Sequence, residues 1–259
     1  MGEASAGLGP RAIAAGFRLI RHETVRSTMD EAANLVRSGD AGQVWIVADR
    51  QEGGRGRNGR VWVSERGNLY ATLLLVDPCP VAKGPQLGFV TGLALRDALG
   101  DLTGLGDRLR LKWPNDALID GAKLAGVLLE GAWTPAARYA ISIGIGVNLA
   151  THPEGVAYPT TDLEALGYRV EPSALIERFS DSMVSRLDQW RRGDDFEKTR
   201  KDWSSSAAGL NETISVTQDG KIVRGVFREI DREGRLVLDT AEGTEVIHAG
   251  DVALRSQAA

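Results

Sequence analysis

Val44-Trp45-Ile46-Val47-Ala48 leads, three residues later, into Gln51-Glu52-Gly53-Gly54-Arg55-Gly56-Arg57-Asn58-Gly59-Arg60-Val61-Trp62. The apolar run, rich in β-branched and aromatic residues, reads as a buried strand. It delivers a loop in which Arg55, Arg57 and Arg60 alternate with Gly54, Gly56 and Gly59. Glycine lets the backbone approach a ligand and leaves its N–H unobstructed. Arginine adds a planar, permanently charged fork suited to carboxylate and phosphate oxygens. The combination suits a ligand with two oxyanion groups close together. A solvated surface loop is the plainer alternative; the buried strand before it and the Trp62 anchor after it weigh against that. The loop lacks the Gly-Lys-Ser/Thr ending of nucleotide hydrolases. No helical pattern opens there, so it also fails as a dinucleotide fingerprint.

A second stretch runs from Lys112-Trp113-Pro114-Asn115-Asp116 through Ala117-Leu118-Ile119 to Lys123-Leu124-Ala125-Gly126-Val127-Leu128-Leu129-Glu130. The intervening Asp120-Gly121 is a strong two-residue hairpin signal. Lys123 opens a strand that is otherwise apolar as far as Glu130. A lysine there is costly unless it meets an anion or runs its stem back to water. Asp116 suits either of two uses: holding Mg²⁺ with waters and phosphate oxygens, which needs only one or two carboxylates, or turning the chain after Pro114.

Outward from these stretches, strands and helices alternate. Phe17-Arg18-Leu19-Ile20 reads as a short first strand and the residues before it as a loose tail. Thr28-Met29-Asp30-Glu31 has capping-box spacing ahead of a helix marked by Ala32, Ala33, Leu35 and Val36 and closed by Gly39. Residues 68–76 form a strand. Pro85 starts a helix with Leu87, Val90, Leu93, Ala94 and Ala98 inside, ending at Gly100. Residues 109–113 and 139–147 are strands, the latter interrupted by Gly144 and Gly146. A polar loop covers 151–161, Ser173 caps a long amphipathic helix, and a further helix spans 194–205. From about Asn211 the texture changes to short alternating strands at 213–217, 222–230, 236–238 and 244–247. They are separated by Asp219-Gly220, Glu233-Gly234 and Glu242-Gly243, the pattern of a small antiparallel barrel. The expected fold is α+β: a mixed sheet with packed helices over residues 17–208, then a small barrel over 209–259.

The chain's 259 residues are enough for one large and one small domain. A net charge of −4 argues against a general nucleic-acid binder. The single cysteine, Cys79, permits no disulfide within the chain and fits a reducing compartment. Lying between two prolines, it reads as an inert surface or edge residue. The first residues lack a signal-peptide pattern, and no apolar run is long enough for a membrane span. Cytoplasmic residence without a membrane partner is the expectation. His22, His152 and His248 show no metal-ligand spacing. Ser27 and Thr28 precede the first helix; as well as capping it, two hydroxyls at a helix N-terminus suit a polar ligand. Gly144-Ile145-Gly146-Val147-Asn148 ends a strand with an amide that reads an adenine, orients the lysine or makes a turn.

Taken together, Ser27-Thr28, Gly54-Arg55-Gly56-Arg57-Asn58-Gly59-Arg60, Lys112-Trp113-Pro114-Asn115-Asp116, Lys123-Leu124-Ala125-Gly126 and Gly144-Ile145-Gly146-Val147-Asn148-Leu149 resemble, in order and spacing, the biotin protein ligases (biotin–acetyl-CoA-carboxylase ligases). The likeness covers roughly Phe17 to the end, including the tail Ala253-Leu254-Arg255-Ser256. It implies the class II synthetase-like fold of biotin and lipoate ligases with an SH3-like C-terminal barrel. It implies an ATP-dependent enzyme that makes biotinyl-5′-AMP and transfers biotin to one lysine of a biotin carboxyl carrier protein. On that resemblance, biotin would be held by Ser27, Thr28, Gln51, Gly54, Arg55, Arg57, Trp62, Lys123 and Gly126. ATP and its phosphates would meet Arg57, Arg60, Lys112, Asn115, Lys123, Asn148 and Arg255. Lys123 and Arg57 would be catalytic, and Asp116 would hold Mg²⁺. The chain departs from many relatives at Arg26, Met29 and Gly53, where they carry Asp, Asn and Ala. The helix-turn-helix of repressor-type members has no counterpart before Phe17, so no DNA binding is expected. Edge pairing of the sheet into a homodimer is compatible with the family. Two rival readings remain: a lipoate ligase of the same fold class, and a non-catalytic biotin or adenylate sensor.

Overall fold

The strand that enters the basic loop is the second of seven in one mixed sheet. The computed structural model describes residues 7–218 and 220–254. Its large sheet comprises β1 (Arg18–Val25), β2 (Val44–Gln51), β3 (Leu69–Val76), β4 (Leu109–Lys112), β5 (Asp116–Ile119), β6 (Ala122–Trp133) and β7 (Tyr139–Val147). The strand order is β1-β2-β3-β7-β6-β5-β4. β1 and β2 run parallel and every other neighbouring pair antiparallel. The helices are α1 (Pro10–Ala14), α2 (Thr28–Ser38), α3 (Leu87–Thr103), α4 (Pro172–Trp190) and α5 (Phe196–Ser205).

β2 reads as a continuous apolar run because both of its faces are covered. Trp45 and Val47 face the main core, where Trp45 meets Phe179 of α4 edge-on at 5.3 Å between ring centroids. Val44 and Ile46 pack against Ala32 and Val36 of α2 on the opposite side. β7 obeys the same period of two with a different outcome. Ile141, Ile143, Ile145 and Val147 enter the main core, so the alternating Ser142, Gly144 and Gly146 lie on the α2 side. Each buried isoleucine contributes roughly 1.5–3 kcal/mol, which fixes the register, because a one-residue slip would turn all of them outward. Gly146 pairs with Gly126 of β6. Two glycines side by side hollow out this face of the sheet.

The remaining strands, β8 (Thr213–Gln218), β9 (Lys221–Ile230), β10 (Leu236–Thr240), β11 (Gly243–Ile247) and β12 (Asp251–Ala253), form an antiparallel sheet ordered β11-β10-β9-β8-β12. Among the described residues β11 and β12 do not pair, so the expected barrel is seen as a five-stranded sheet rather than a closed ladder. Ile214, Val216, Phe227 and Leu236 continue the main core. Trp113, before the cis Trp113–Pro114 peptide, donates its indole N–H to Gly234 O at 3.1 Å. The small sheet is thereby fastened beside the lysine hairpin.

Several local expectations shift. The segment before Phe17 is not a loose tail from Leu8 onward. Leu8 and Ala12 are buried, and the Gly9 and Ala12 N–H groups donate to Ser180 Oγ (2.9 Å) and Asp181 Oδ1 (3.0 Å) of α4. The cap of α2 is Ser27, whose Oγ accepts from Met29 N–H, one residue earlier than the Thr28 box suggests. Thr28 is inside the helix, and its hydroxyl is used elsewhere. α4 starts at Pro172 without a side-chain cap; proline supplies the helical φ and has no N–H to satisfy, so Ser173 is not the cap. A 3₁₀ segment, Val81–Gln86, contains Pro85, and α3 then runs past Gly100 to Gly104 at φ 72°. Glycine suits that left-handed C-cap.

Cys79 is buried rather than superficial. Burial pushes its thiol pKa up, against the opposing pull of Arg192 and Lys83. Its thiolate fraction at neutral pH is therefore below that of a free cysteine. Iodoacetamide at pH 7.5 is expected to label it at least ~10-fold more slowly in the native protein than in urea, since the thiolate is the reacting species; mass spectrometry of timed samples checks this.

Candidate functional site

On the hollowed face of the sheet lies a cavity of about 560 Å³, bounded by the basic loop, the lysine hairpin, the N-terminus of α2 and β12 of the small sheet. Arg57 and Lys123 both line it, although they come from separate segments. Ser27, Thr28 and Gln51 line it too, as do Arg55, Arg60, Trp62, Lys112, Asn115, Asp116 and Gly126.

The basic loop is a hairpin rather than an open coil. Gln51 N–H bonds Ser64 O, Trp62 N–H bonds Gly54 O at 2.9 Å, and Gly56 N–H bonds Arg60 O at 2.7 Å. Arg55 and Val61 form an antiparallel bridge. Arg57–Gly59 make a single 3₁₀ turn at the tip. Trp62 lines the cavity and lies over the paired glycines. A Cβ on Gly146 would stand 2.4 Å from the indole and one on Gly126 3.1 Å from it. The buried Trp62 Nε1 has no hydrogen-bond acceptor among the described residues.

Each cation on the wall has an anionic neighbour. Arg55 donates to Asp30 of α2 at 2.7 Å and lies 4.0 Å from Glu130, so this arginine ties the loop to the helix. Arg57 donates to Asn115 Oδ1 (3.1 Å) and to Gly250 O (3.2 Å from each terminal nitrogen), and sits 3.8 Å from Asp251. Arg60 is ion-paired with Asp251. Lys123 and Lys112 share Asp116, at 2.6 and 3.3 Å. The Lys123 contact is close but poorly aligned, leaving the buried Asp116 Oδ1 without a directed hydrogen bond. The Lys123 amine also stands over the Trp62 and Tyr158 rings, at 5.3 and 5.4 Å, where ring quadrupoles favour a cation.

Two expected site residues do not line the cavity. Gly54 is off the wall, and a Cβ there would come within 2.6 Å of Ser64 Oγ and Trp62 O; it admits the packing at the hairpin base. Asn148 is 2% exposed, with its amide given to Thr161 O at 3.1 Å, so it pins the end of β7 to the following loop. Arg255 lies outside the described residues, whereas Asp251, Val252 and Ala253 just before it line the wall. Other wall residues escaped the sequence reading. Gly144 and Gly146 were visible as strand interruptions, but not as a floor. Met29 seats its sulfur 2.9 Å from where a Gly144 Cβ would be, which explains why a long apolar side chain fits after Ser-Thr. Tyr158 and Asp251 left no local signal.

Residues 22–148 match the biotin/lipoate A/B protein ligase family, and residues 209–255 match the biotin protein ligase C terminal domain. A biotin–[acetyl-CoA-carboxylase] ligase of Paracoccus denitrificans is 38% identical over 235 residues, 87% of this chain and 96% of that protein. The bifunctional ligase/repressor BirA of Bacillus subtilis is 30% identical over 92% of this chain and 74% of its own length. Among solved structures, a biotin protein ligase from Aquifex aeolicus in complex with biotin and ATP superposes with a TM-score of 0.78. It is 28% identical and covers 92% of this chain and 98% of that one.

The arginine tip depends on Asp251 for its ionic partner. Replacing Asp251 with Ala is expected to raise amide hydrogen exchange across residues 55–61 several-fold while the β2, β3 and β7 amides keep their protection; exchange mass spectrometry reads both.

Proposed function

This chain belongs to the biotin protein ligase family, and on that premise we propose that its cavity joins biotin to ATP as biotinyl-5′-AMP and passes the biotinyl group to a lysine of a biotin carboxyl carrier protein. The observation that carries the reading is the shared cavity of Arg57 and Lys123. In the first step a biotin carboxylate oxygen attacks the α-phosphorus of ATP. A new O–P bond forms, the bridging P–O bond breaks, and pyrophosphate leaves with that electron pair. Both reactants are anions, so the barrier includes their repulsion. Fixed cations in a partly desolvated site offset it without reorganising. Lys123 is the group assigned to the carboxylate and α-phosphate together. Arg57, Arg60, Lys112 and Asn115 are assigned to the remaining phosphate oxygens. Holding the reactants aligned supplies part of the roughly 7–11 kcal/mol available to orientation.

In the second step the acceptor lysine's amine attacks the acyl carbon. The acyl C–O bond to phosphate breaks, AMP leaves, and the amine releases a proton to solvent. The intermediate is a mixed anhydride that water destroys, so the Trp62-bearing hairpin serves the chemistry by excluding water. Ser27, Thr28 and Gln51 offer hydroxyl and amide groups at the α2 end of the cavity. These favour a ureido ring over lipoate's dithiolane, which has no hydrogen-bonding group to meet them. Asn148 spends one of its two amide hydrogens on Thr161 O, and it remains the group assigned to the adenine.

Mg²⁺ fits the residues present. Asp116 offers a buried carboxylate oxygen with no directed hydrogen bond, which stands 2.6 Å from the Lys123 amine and would be shared with it or released as Lys123 turns to the phosphate. Among the described residues no group of three or more His, Cys, Asp or Glu could cage a metal, as suits an ion that arrives with phosphate ligands of its own. When bound, Mg²⁺ would draw charge from the phosphate oxygens. The reading includes a catalytic unit over 17–208, a small C-terminal unit over 209–259, cytoplasmic residence, no DNA or membrane partner, and a homodimer paired at sheet edges. No helix among the described residues is long and apolar enough to cross a membrane.

Mass spectrometry of a biotin carboxyl carrier domain incubated with this protein, ATP and biotin is expected to show one biotinyl addition on one lysine; no addition overturns the reading. Lys123→Ala is expected to lower biotin-dependent exchange of labelled pyrophosphate into ATP by ~10²–10³-fold, the usual cost of losing one preorganised charge-stabilising group, with the fold intact by circular dichroism. Arg57→Ala is expected to leave biotin binding measurable and to speed release of bound biotinyl-5′-AMP, followed by stopped-flow fluorescence.

A further inference from the structure

At the base of the basic hairpin runs a chain of side-chain hydrogen bonds that neither reaction step uses directly. Thr72 Oγ1 on β3 donates to Thr28 Oγ1 at 2.8 Å. The Thr28 hydroxyl and its backbone N–H both donate to Gln51 Oε1, at 3.1 and 2.8 Å. Gln51 Nε2 donates to Ser64 Oγ at 3.0 Å, and Ser64 Oγ donates to Trp62 O at 3.0 Å. The direction is fixed by chemistry. A backbone N–H can only donate, so the oxygen of the Gln51 amide must face Thr28 and its NH₂ must face Ser64. The Thr28 and Ser64 hydroxyls then each accept one bond and donate one, while Thr72 Oγ1 donates to Thr28. Thr72, Thr28 and Ser64 are 0, 3 and 5% exposed, so water does not readily replace a lost partner. Gly54 is shaped to this arrangement, since a Cβ there would lie 2.6 Å from Ser64 Oγ and 3.0 Å from Gln51 Nε2.

We propose that Ser64 is a positioning residue that couples occupancy of the polar end of the cavity to the closing of the basic hairpin. The proposal rests on the biotin ligase reading, in which a ureido ring meets Thr28 and Gln51. Gln51 Nε2 has two hydrogens and spends one on Ser64. A ligand carbonyl that takes the other acts on the same amide. Ser64 relays the orientation of that amide to the Trp62 carbonyl. Trp62 N–H is bonded to Gly54, and Arg55, Arg57 and Arg60 follow along the same short ladder. Without the Ser64 hydroxyl, Gln51 Nε2 loses its acceptor and Trp62 O its donor. The ring end and the arginines then respond to ligand separately.

The test compares wild type, Ser64→Ala, Ser64→Cys, Gln51→Ala and the Ser64→Ala/Gln51→Ala double variant, using biotin as the probe. Three quantities are read: hydrogen exchange at residues 55–62 with and without biotin, and both KM and kcat in pyrophosphate exchange. In wild type, biotin should slow exchange at 55–62. In Ser64→Ala that slowing should be lost, KM for biotin should rise about tenfold, the scale of one buried hydrogen bond, and kcat at saturating biotin should change less than twofold. The double variant should be no worse than Gln51→Ala alone. Ser64→Cys, which keeps the volume and weakens the donor, should fall between wild type and Ser64→Ala, and it stands in if the alanine variant does not fold. Wild-type protection retained in the Ser64 variants overturns the proposal, even if KM rises. So does the absence of biotin-dependent protection in wild type. If wild type shows no biotin-dependent pyrophosphate exchange at all, the ligase reading itself falls.

Discussion

Five cationic side chains, Arg55, Arg57, Arg60, Lys112 and Lys123, line one cavity, and like charges gathered in a partly desolvated space repel unless anions stand among them. Three carboxylates, each from a different element, chiefly meet that constraint, with Glu130 of β6 a fourth at 4.0 Å from Arg55. Asp30 of α2 takes Arg55, Asp116 of β5 lies between the two lysines, and Asp251 of β12 faces Arg57 and Arg60. Removing one member of such a half-buried set leaves the others unpaired, at a cost of up to ~3–5 kcal/mol for fully buried pairs. The helix, the hairpin and the small sheet must therefore assemble together for the site to exist. The same pairing shapes ligand binding. An incoming carboxylate or phosphate exchanges one anionic partner for another, so binding reflects a difference between partners rather than the full attraction of an isolated charge.

Space for the reactants comes from the opposite extreme of side-chain size. β7 alternates isoleucine with serine and glycine, so the strand that anchors the helical layer with large residues also leaves a trough on its other face. Gly126 extends the trough onto β6, and Trp62 descends into it. The indole approaches the sheet backbone because no Cβ intervenes at Gly146. Lys123, three residues before Gly126 on the same strand, then stands above the ring. Packing and electrostatics meet at this point: the aromatic wall of the cavity also offers its face to the Lys123 amine.

Much of this was legible because it is local. The run into the loop, the Asp120-Gly121 turn and the Ile/Gly alternation of β7 each declare their structure within a few residues. The shared placement of Arg57 and Lys123 was implied by the resemblance to the biotin protein ligases, since no short-range pattern brings β2's loop to β6. Long-range pairings left no such trace. Asp251 sits in a three-residue strand with no alternation to detect, yet it meets two arginines. Leu8 and Ala12 lie in a stretch whose alanines and glycines suggest a tail, and only the docking of α1 on α4 buries them. The off-by-one cap at Ser27 has a chemical cause. Two adjacent hydroxyls can each cap a helix, and the choice falls to Ser27 because Thr28 is engaged by Gln51 and Thr72.

The hairpin that carries the arginines is held at two places and spanned by its own backbone ladder between them. Its base is set by Gln51 and Ser64, and its tip by Gly250 and Asp251 of the small sheet. A loop held this way has few cheap motions. Fraying in the middle would break backbone bonds, whereas opening at the tip breaks only the polar contacts of Arg57 and Arg60 and leaves the ladder whole. The tip is also the more exposed end: the Arg60 side chain is 56% accessible against 5% for Ser64. The exposed Arg60–Asp251 pair is worth at most about 1 kcal/mol. Loosening is therefore cheapest at the Arg57–Arg60 tip, while Arg55 stays tied to Asp30 and Trp62 stays packed over the paired glycines.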